Sequence, residues 1–223
     1  MSAILDIRDK SGEGEGSDFF EKIALDLQEK GFSINPCALP HTLSESLYYH
    51  LQSMPQFNFE QAGIGRDQKH ILNNFVRTDA ICWINGESEA GIKWLEWNAK
   101  LQKYLNRRLF LGLFSFESHF AHYSPGDFYK RHYDAFRGEA NRVLSVVVYL
   151  NHAWQPNEGG ELVLYVDDKD QEGIKVTPSF GSIAVFLSEE FPHEVLPAMR
   201  DRYSIAGWYR VNTSTANRVD PPL

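Results

Sequence analysis

The chain predicts a mainly β fold with added α-helices: a double-stranded β-helix, or jelly roll, braced by helices from the first half of the sequence. Short β-rich segments separated by turn residues follow one another through the second half. The segment from Arg142 to Leu150 is almost continuously apolar and β-branched, which is typical of a strand buried on both faces. Many short antiparallel strands at close intervals are typical of a jelly roll.

The first half of the sequence is predicted to supply the helices that brace the jelly roll. Residues 1–17 include a Gly/Glu stretch that is not expected to order alone, so we predict a disordered tail there. Asp18, with Glu21 three residues later, forms a capping-box-like helix start, and apolar residues at helical spacing continue to a stop at Gly31. A further amphipathic helix is predicted from Ser88 to Arg108. These helices are expected to cover the outside of a sheet.

The length of 223 residues corresponds to one domain of ordinary size. We predict a single domain over residues 18–223. Its helical support is expected over 18–110 and its jelly-roll core over 111–212.

Composition and charge narrow the classes of partner. The net charge of −8 disfavours a nucleic-acid partner, because phosphate-backbone binding draws on clustered Lys and Arg. No apolar run approaches the roughly 20 residues needed to cross a bilayer. Cys37 and Cys82 are the only cysteines and lie in no paired motif, which is typical of a reducing compartment. We therefore expect a soluble, cytoplasmic protein with no nucleic-acid or membrane partner; the sequence leaves the oligomeric state open.

Two short motifs carry the candidate chemistry. In a strand, residues i and i+2 project from one face, so His132 and Asp134 can hold one cation together. His193 lies beyond several predicted strands and can close the site from the other side. Two His and one carboxylate on one face of an octahedral ion suit non-haem Fe(II) oxygenases. Arg202, nine residues after His193, can bind a carboxylate in a bidentate way.

From about Ala121 to Arg210 the chain resembles the 2-oxoglutarate- and Fe(II)-dependent dioxygenases. It is most similar to the prolyl 4-hydroxylase branch, and within it to the hypoxia-inducible-factor prolyl hydroxylases and their bacterial relatives. The motifs that carry the resemblance are His122–Gly126, Tyr129–Asp134, Val148–Asn151, Gly159–Leu162, His193–Pro197 and Arg202–Tyr209.

The resemblance implies a set of cofactors and residues that bind them. The cofactors are Fe(II), the cosubstrate 2-oxoglutarate, O2 and ascorbate as reductant. The implied metal ligands are His132, Asp134 and His193. Arg202 is expected to pair with the C5 carboxylate of 2-oxoglutarate, which makes it the fourth catalytic residue, and Tyr149 and Tyr123 complete the cosubstrate site.

Three further residues are expected near the substrate. Tyr129 and Trp208 match aromatic positions that line the cavity in similar hydroxylases. Arg131 lies beside the first metal ligand, where it is expected to contact the substrate.

The resemblance implies hydroxylation of a prolyl residue in a protein or peptide, coupled to decarboxylation of 2-oxoglutarate to succinate and CO2. It also implies an oxygen-sensing role and a cellular substrate such as a translation factor. Two alternatives stay open from the sequence. One is hydroxylation of a free amino acid or small metabolite, and the other is a non-catalytic sensor that binds metal or peptide.

Overall fold

The computed structural model describes residues 13–55, 58–62, 75–135 and 141–212. These residues form two antiparallel sheets and three helices. The helices are α1 (Glu13–Lys30), α2 (His41–Ser53) and α3 (Glu89–Leu109). The strands are β1 (Phe32–Asn35), β2 (Glu60–Gln61), β3 (Ala80–Trp83), β4 (Ser115–Tyr123), β5 (Tyr129–His132), β6 (Arg142–Tyr149), β7 (Leu162–Leu164), β8 (Ile174–Val176), β9 (Ile183–Leu187), β10 (His193–Val195) and β11 (Arg202–Arg210).

The two sheets differ in the number and order of their strands. The larger sheet has seven strands in the order β1-β9-β6-β11-β4-β3-β2. The smaller sheet has four strands in the order β5-β10-β7-β8. The predicted jelly-roll fold class is confirmed, and no helix in the described ranges is both long and apolar enough to cross a bilayer.

Strand alternation gives the larger sheet two different faces. On β11, Ile205 and Tyr209 pack in the hydrophobic cluster that contains the buried faces of the helices. The residues between them face the opposite way, because neighbouring side chains of a strand alternate. A second cluster joins Tyr149 and Phe186 of the larger sheet to Leu162 of the smaller one. We call the surface of the larger sheet that faces the smaller sheet its inner face.

The first half departs from the predicted division. Helix α1 begins at Glu13, so Asp18, the predicted helix start, lies inside it. Residues 1–12 lie outside the described part, and the disordered tail over 1–17 stays a prediction. Adding residues to a helix whose later turns are already packed costs little, because propagation is far easier than nucleation. The segment 18–110, expected as helical support, holds the three helices together with strands β1, β2 and β3, which belong to the larger sheet.

The long helix α3 follows its prediction closely. Its N-cap is Ser88, whose side-chain oxygen accepts a hydrogen bond from the Gly91 N–H at 3.0 Å. Trp94 and Leu101 on its buried face are fully inaccessible to solvent. The helix therefore buries its apolar stripe against the outer face of the larger sheet, away from the inner face.

Candidate metal and cosubstrate site

Three potential metal ligands meet at one edge of the smaller sheet. His132 ends β5, His193 begins β10, and the two are direct cross-strand partners. Asp134 follows His132 by two residues, and the ligand atoms of all three lie within 4.8 Å of one another. The Nε2 atoms of His132 and His193 lie 3.7 and 3.5 Å from the two carboxylate oxygens of Asp134. The structure thus brings together the three residues that the spacing predicted.

Both imidazoles are oriented for metal binding. His132 Nδ1 lies 2.8 Å from the Lys130 carbonyl oxygen, and His193 Nδ1 lies 3.1 Å from that of Phe191. Each Nδ1 can donate to a carbonyl only if it carries the proton, which leaves the lone pair on Nε2. A backbone acceptor behind each ring is the usual support of a metal-binding His. Two neutral imidazoles and a carboxylate fit Fe(II).

The ionisation of the site agrees with this donor set. Burial lowers the pKa of His193 to about 4, so its ring is neutral near pH 7. Burial raises the pKa of Asp134, but His193, His132 and Arg142 outweigh it and hold that pKa well below its ordinary value. The site therefore holds an ionised carboxylate beside the neutral imidazole of His193.

A serine that the sequence analysis missed holds the carboxylate. Ser145 of β6 donates its hydroxyl to Asp134 Oδ2 at 2.6 Å. Its oxygen also lies 2.9 Å from the hydroxyl oxygen of Ser188. Both serines are buried. The pair ties the candidate metal carboxylate to the inner face of the larger sheet.

Arg202 lies on the inner face in a position suited to a ligand carboxylate. It is 1% exposed, and its guanidinium carbon lies 4.9 Å from the Tyr123 ring and 5.2 Å from the Tyr149 ring. Its Nε donates to the Gly160 carbonyl at 2.8 Å and its Nη1 to Ser204 Oγ at 3.1 Å. Within the described ranges, no carboxylate forms an ion pair with it.

The hydroxyl of Tyr149 also suits the binding of a ligand carboxylate beside Arg202. Its oxygen is buried and has no hydrogen-bond partner among the described residues. Burial raises the pKa of Tyr149 to about 12, so the hydroxyl keeps its proton and can donate. An uncompensated buried cation beside an unused donor fits the far carboxylate of 2-oxoglutarate. Burial likewise raises the pKa of Tyr123 well above its ordinary value.

The turn before β7 leaves space for Arg202. Gly159 and Gly160 both have positive φ, at 70° and 73°. A Cβ on Gly160 would lie 2.9 Å from Ala198 Cβ and 3.2 Å from Arg202 Cδ. Glycine is therefore required here both by the backbone conformation and by the close approach of the arginine.

The three residues expected near the substrate have different surroundings. The Tyr129 ring stacks on the His132 ring at a centroid distance of 3.6 Å. The guanidinium carbon of Arg77 lies 4.3 Å from the centroid of the same Tyr129 ring. Trp208 lies on the inner face, and Arg142 covers its ring at 3.7 Å. Both aromatic residues are thus next to the triad or its support.

Arg131 has a different role in the structure. Its guanidinium donates to the backbone carbonyls of Asp167 and Asp170, and its central carbon lies 3.7 Å from the Tyr165 ring. The neighbouring Tyr133 hydroxyl donates to Asp168 at 3.0 Å. Arg131 therefore anchors the loop after β7, and the expected substrate contact stays a prediction.

Sequence reasoning also missed a charged group at the other end of the inner face. It consists of Glu117, Arg142 and Arg210, beside the buried His119. The available signal was alternation along β4: counting back from Tyr123 in steps of two reaches His119 and Glu117. Its pairing with the arginines depends on strand register.

Comparison with known proteins agrees with a metal and 2-oxoglutarate site. Residues 118–210 match the family model described as the 2OG-Fe(II) oxygenase superfamily. Human Egl nine homolog 1 is 28% identical over 156 residues, and the match covers 64% of this chain and 35% of that protein. The chain thus spans about a third of this relative.

Two solved structures share most of the fold. A prolyl hydroxylase from Trichoplax adhaerens, solved with a hypoxia-inducible-factor oxygen degradation domain peptide, has a TM-score of 0.75 and 26% identity, covering 92% of this chain and 94% of its own. A Pseudomonas putida prolyl-4-hydroxylase has a TM-score of 0.76 and 38% identity, covering 86% of this chain and 99% of its own. With the family model, the metal ligand set and this near-complete match in agreement, the chain belongs to the 2OG-Fe(II) oxygenase superfamily.

Proposed function

We propose that this protein is a prolyl 4-hydroxylase that uses Fe(II), O2 and 2-oxoglutarate to hydroxylate a prolyl residue in a protein or peptide. The observation that carries the proposal is the combination of a two-His, one-Asp cluster with a buried arginine that lacks a carboxylate partner among the described residues. The prolyl substrate rests on the similarity to prolyl hydroxylases from Pseudomonas and Trichoplax.

Each part of the site has a task in this reaction. His132, Asp134 and His193 would hold Fe(II) through their free ligand atoms, with Ser145 keeping the carboxylate oriented. Arg202 would bind the C5 carboxylate of 2-oxoglutarate, assisted by the Tyr149 hydroxyl and the Tyr123 ring. Bound Fe(II) and 2-oxoglutarate supply the O2-dependent oxidation that converts a C–H bond to C–OH while 2-oxoglutarate leaves as succinate and CO2.

The surroundings of these residues serve the chemistry by excluding water. Tyr123, Tyr149, Phe186 and Val195 belong to one buried cluster between the sheets. The Phe186 ring lies 4.9 Å from the His193 ring, so the cluster reaches from the arginine end to the metal ligands. A dry interior strengthens the Arg202–carboxylate interaction and limits side reactions.

The direct test is anaerobic loading with Fe(II) and 2-oxoglutarate, followed by O2 and succinate measurement with a panel of proline-containing peptides. We expect one peptide to stimulate succinate formation and to gain the mass of one oxygen atom at proline. His193→Ala should abolish both signals, whereas His41→Ala, at a largely exposed side chain on α2, should retain them.

The other outcomes point to the alternatives. Succinate formation that no peptide stimulates would support a free amino acid or small metabolite as substrate. Metal binding without succinate formation would support a sensor without turnover. Either result would overturn the prolyl substrate.

Finer parts of the proposal rest on the resemblance alone. They are a translation factor as the cellular substrate, ascorbate as reductant, an oxygen-sensing role and a cytoplasmic location. A dependence of turnover on O2 in the range found in cells would support the sensing role, and saturation far below that range would contradict it.

A further inference from the structure

The two strands that carry the histidine ligands pair irregularly. His193 of β10 pairs with His132 of β5, and two residues further along β10, Val195 pairs with Tyr129. Those partners in β5 are three residues apart, so two residues of β5 lie opposite Glu194 alone, which is a β-bulge. A bulge interrupts the ladder of backbone hydrogen bonds, so the ladder holds this part of β5 less firmly than a regular strand pair would.

The bulge sets the orientation of one metal ligand. The carbonyl oxygen of Lys130, within the bulge, is the acceptor that lies 2.8 Å from His132 Nδ1 and leaves Nε2 free for the metal. The bulge also brings Tyr129 to the same face as His132, three residues away, where the two rings stack. The geometry at His132 therefore depends on the conformation of the bulge.

Three side chains meet behind the bulge, on the face of the smaller sheet that points away from the metal ligands. Arg131 and Glu194 each follow or precede a histidine ligand directly and face the opposite way, because neighbouring side chains of a strand alternate. Tyr165, directly after β7, contacts both of them. The centre of its ring lies 3.7 Å from the Arg131 guanidinium carbon, and its hydroxyl donates to Glu194 Oε1 at 2.5 Å. Tyr165 therefore links the bulged strand to the strand that carries the second histidine.

The tyrosine is itself firmly packed. It is 7% exposed, and Gly173 of the loop after β7 lies so close that a Cβ there would be 2.9 Å from Tyr165 Cδ1. The guanidinium of Arg131 is fixed as well, by the backbone carbonyls of Asp167 and Asp170 in the same loop. Because close-packed groups have little room to move, a shift of either strand would break a contact of Tyr165.

We propose that Tyr165 is a positioning residue for the metal site: it ties Arg131 in the bulge to Glu194 across the strand pair and so holds the two imidazoles in the geometry that binds Fe(II). The residue acts through the two strands and not by contact with the metal. The inference rests on the Fe(II) site of the proposed function but not on its prolyl substrate.

The test measures metal binding and metal geometry directly. Tyr165→Phe keeps the ring beside Arg131 but removes the hydrogen bond to Glu194. We expect it to weaken Fe(II) binding about tenfold, measured anaerobically by competition with a chelator. The visible absorption spectrum of the Co(II)-loaded variant should also shift, because it reports the arrangement of the ligands. A role in the fold alone would lower the free energy of unfolding of the metal-free protein and leave both metal measurements unchanged.

The matched control is Tyr104→Phe. It also removes a tyrosine hydroxyl that donates to a glutamate, Glu21, at 2.7 Å, but between helices α3 and α1. Its Fe(II) affinity and Co(II) spectrum should equal those of the wild type. Equal changes in the two variants would overturn the inference, as would wild-type metal binding by Tyr165→Phe.

A double-mutant cycle shows whether Tyr165 acts through Glu194. In a Glu194→Ala background, Tyr165→Phe should have no further effect on Fe(II) affinity, because the hydroxyl has already lost its acceptor. Independent, multiplicative effects would contradict the proposed link. Glu194→Gln keeps an oxygen that accepts the hydrogen bond and should bind Fe(II) more tightly than Glu194→Ala. Equal affinities of these two variants would show that the hydrogen bond does not position the ligands.

Failure of the two proposals gives different results. If the metal titrations give the expected differences but the wild type hydroxylates no peptide, the prolyl substrate is wrong and the positioning role stands. If the wild type hydroxylates a peptide and Tyr165→Phe binds Fe(II) as tightly as the wild type does, the positioning role alone is overturned.

Discussion

The two ends of the inner face use arginine in opposite ways. Arg202 is fully buried, and no carboxylate pairs with it in the described ranges. At the other end, Arg142 and Arg210 share Glu117. Both ends lie on β11 and its neighbours, but the arginines differ in their partners, and Arg142 is also more exposed than Arg202.

The comparison separates an arginine that has no carboxylate partner among the described residues from two arginines that share one. A buried guanidinium without a counter-ion costs free energy, which a ligand carboxylate can recover on binding. Arg142 and Arg210 share the Glu117 carboxylate, so each has an ion-pair partner before any ligand binds. The Arg202 end therefore suits the far carboxylate of 2-oxoglutarate.

The largest effect is expected from removing the charge of Arg202, which has no carboxylate partner among the described residues. Arg202→Gln should weaken 2-oxoglutarate binding roughly 100-fold, because truncating one partner of a buried charge pair costs about 3 kcal/mol. Anaerobic titration of the Fe(II)-loaded protein measures this. Arg200→Gln, at a more exposed arginine that stacks on Trp154, is the control and should change affinity little. Equal losses in both variants would contradict a specific anion site at Arg202.

The serine between the two ends should affect the metal rather than either ligand. Ser145→Ala removes the hydrogen bond to Asp134, and loss of such outer support typically weakens metal binding about 10- to 100-fold. Competition with a chelator for Fe(II) measures the change. Ser179→Ala, in the turn that precedes β9, offers a comparison of the same chemical change away from Asp134. Unaltered metal affinity would show that Asp134 is held without the serine.

The Glu117 end should resist gaining further positive charge, and His119 tests this. Burial, together with the charges of Arg77 and Arg142, lowers the pKa of His119 to about 4 from an ordinary value of 6.5. The unfolded chain then binds the proton more readily, so stability falls as pH drops from about 6.5 towards 4. At pH 5 this one group costs about 2 kcal/mol.

His119→Met should remove that loss. The metal-free variant should keep more of its free energy of unfolding between pH 7 and pH 5 than the wild type, by about 2 kcal/mol in urea denaturation. His41→Gln, at a side chain that is 80% exposed, serves as the control. Parallel pH profiles for wild type and His119→Met would contradict a neutral buried imidazole.

A smaller effect is expected for the unused hydroxyl at the Arg202 end. Tyr149→Phe should weaken 2-oxoglutarate binding about tenfold, since one hydrogen bond to a charged group contributes about 1.5 kcal/mol. The free energy of unfolding of the ligand-free protein should not fall, because the hydroxyl has no partner to lose among the described residues. A fall in stability without a change in affinity would assign the hydroxyl to the fold instead.

The metal ligands and the residues that surround them differ in how well the sequence predicted them. His132 and Asp134 could be grouped because their spacing is local, and the later family motif added His193 to them. Glu117 could not, because it meets Arg142 and Arg210 through the register of β11 with β4 and β6, which no local pattern encodes. Ser145 could not, because its contact with Asp134 joins the larger sheet to the segment after β5.

Arg131 shows how alternation and a family motif can point in different directions. As the neighbour of His132 on β5, it should face away from the metal, and its contacts with the loop after β7 agree with that. Helix α1 shows a second limit, since it begins at Glu13, before the predicted cap at Asp18.

The position of β11 has a consequence for how the protein acquires its shape. It is the last described strand in the chain, yet it lies at the centre of the larger sheet, between β6 and β4. Earlier strands cannot close into that sheet until it arrives, and such distant pairings fold slowly. During synthesis, a chain that still lacks β11 exposes the unpaired edges of β6 and β4, and neither arginine end is complete. We therefore expect activity to appear only once β11 has paired, and the risk of aggregation to be highest just before that step.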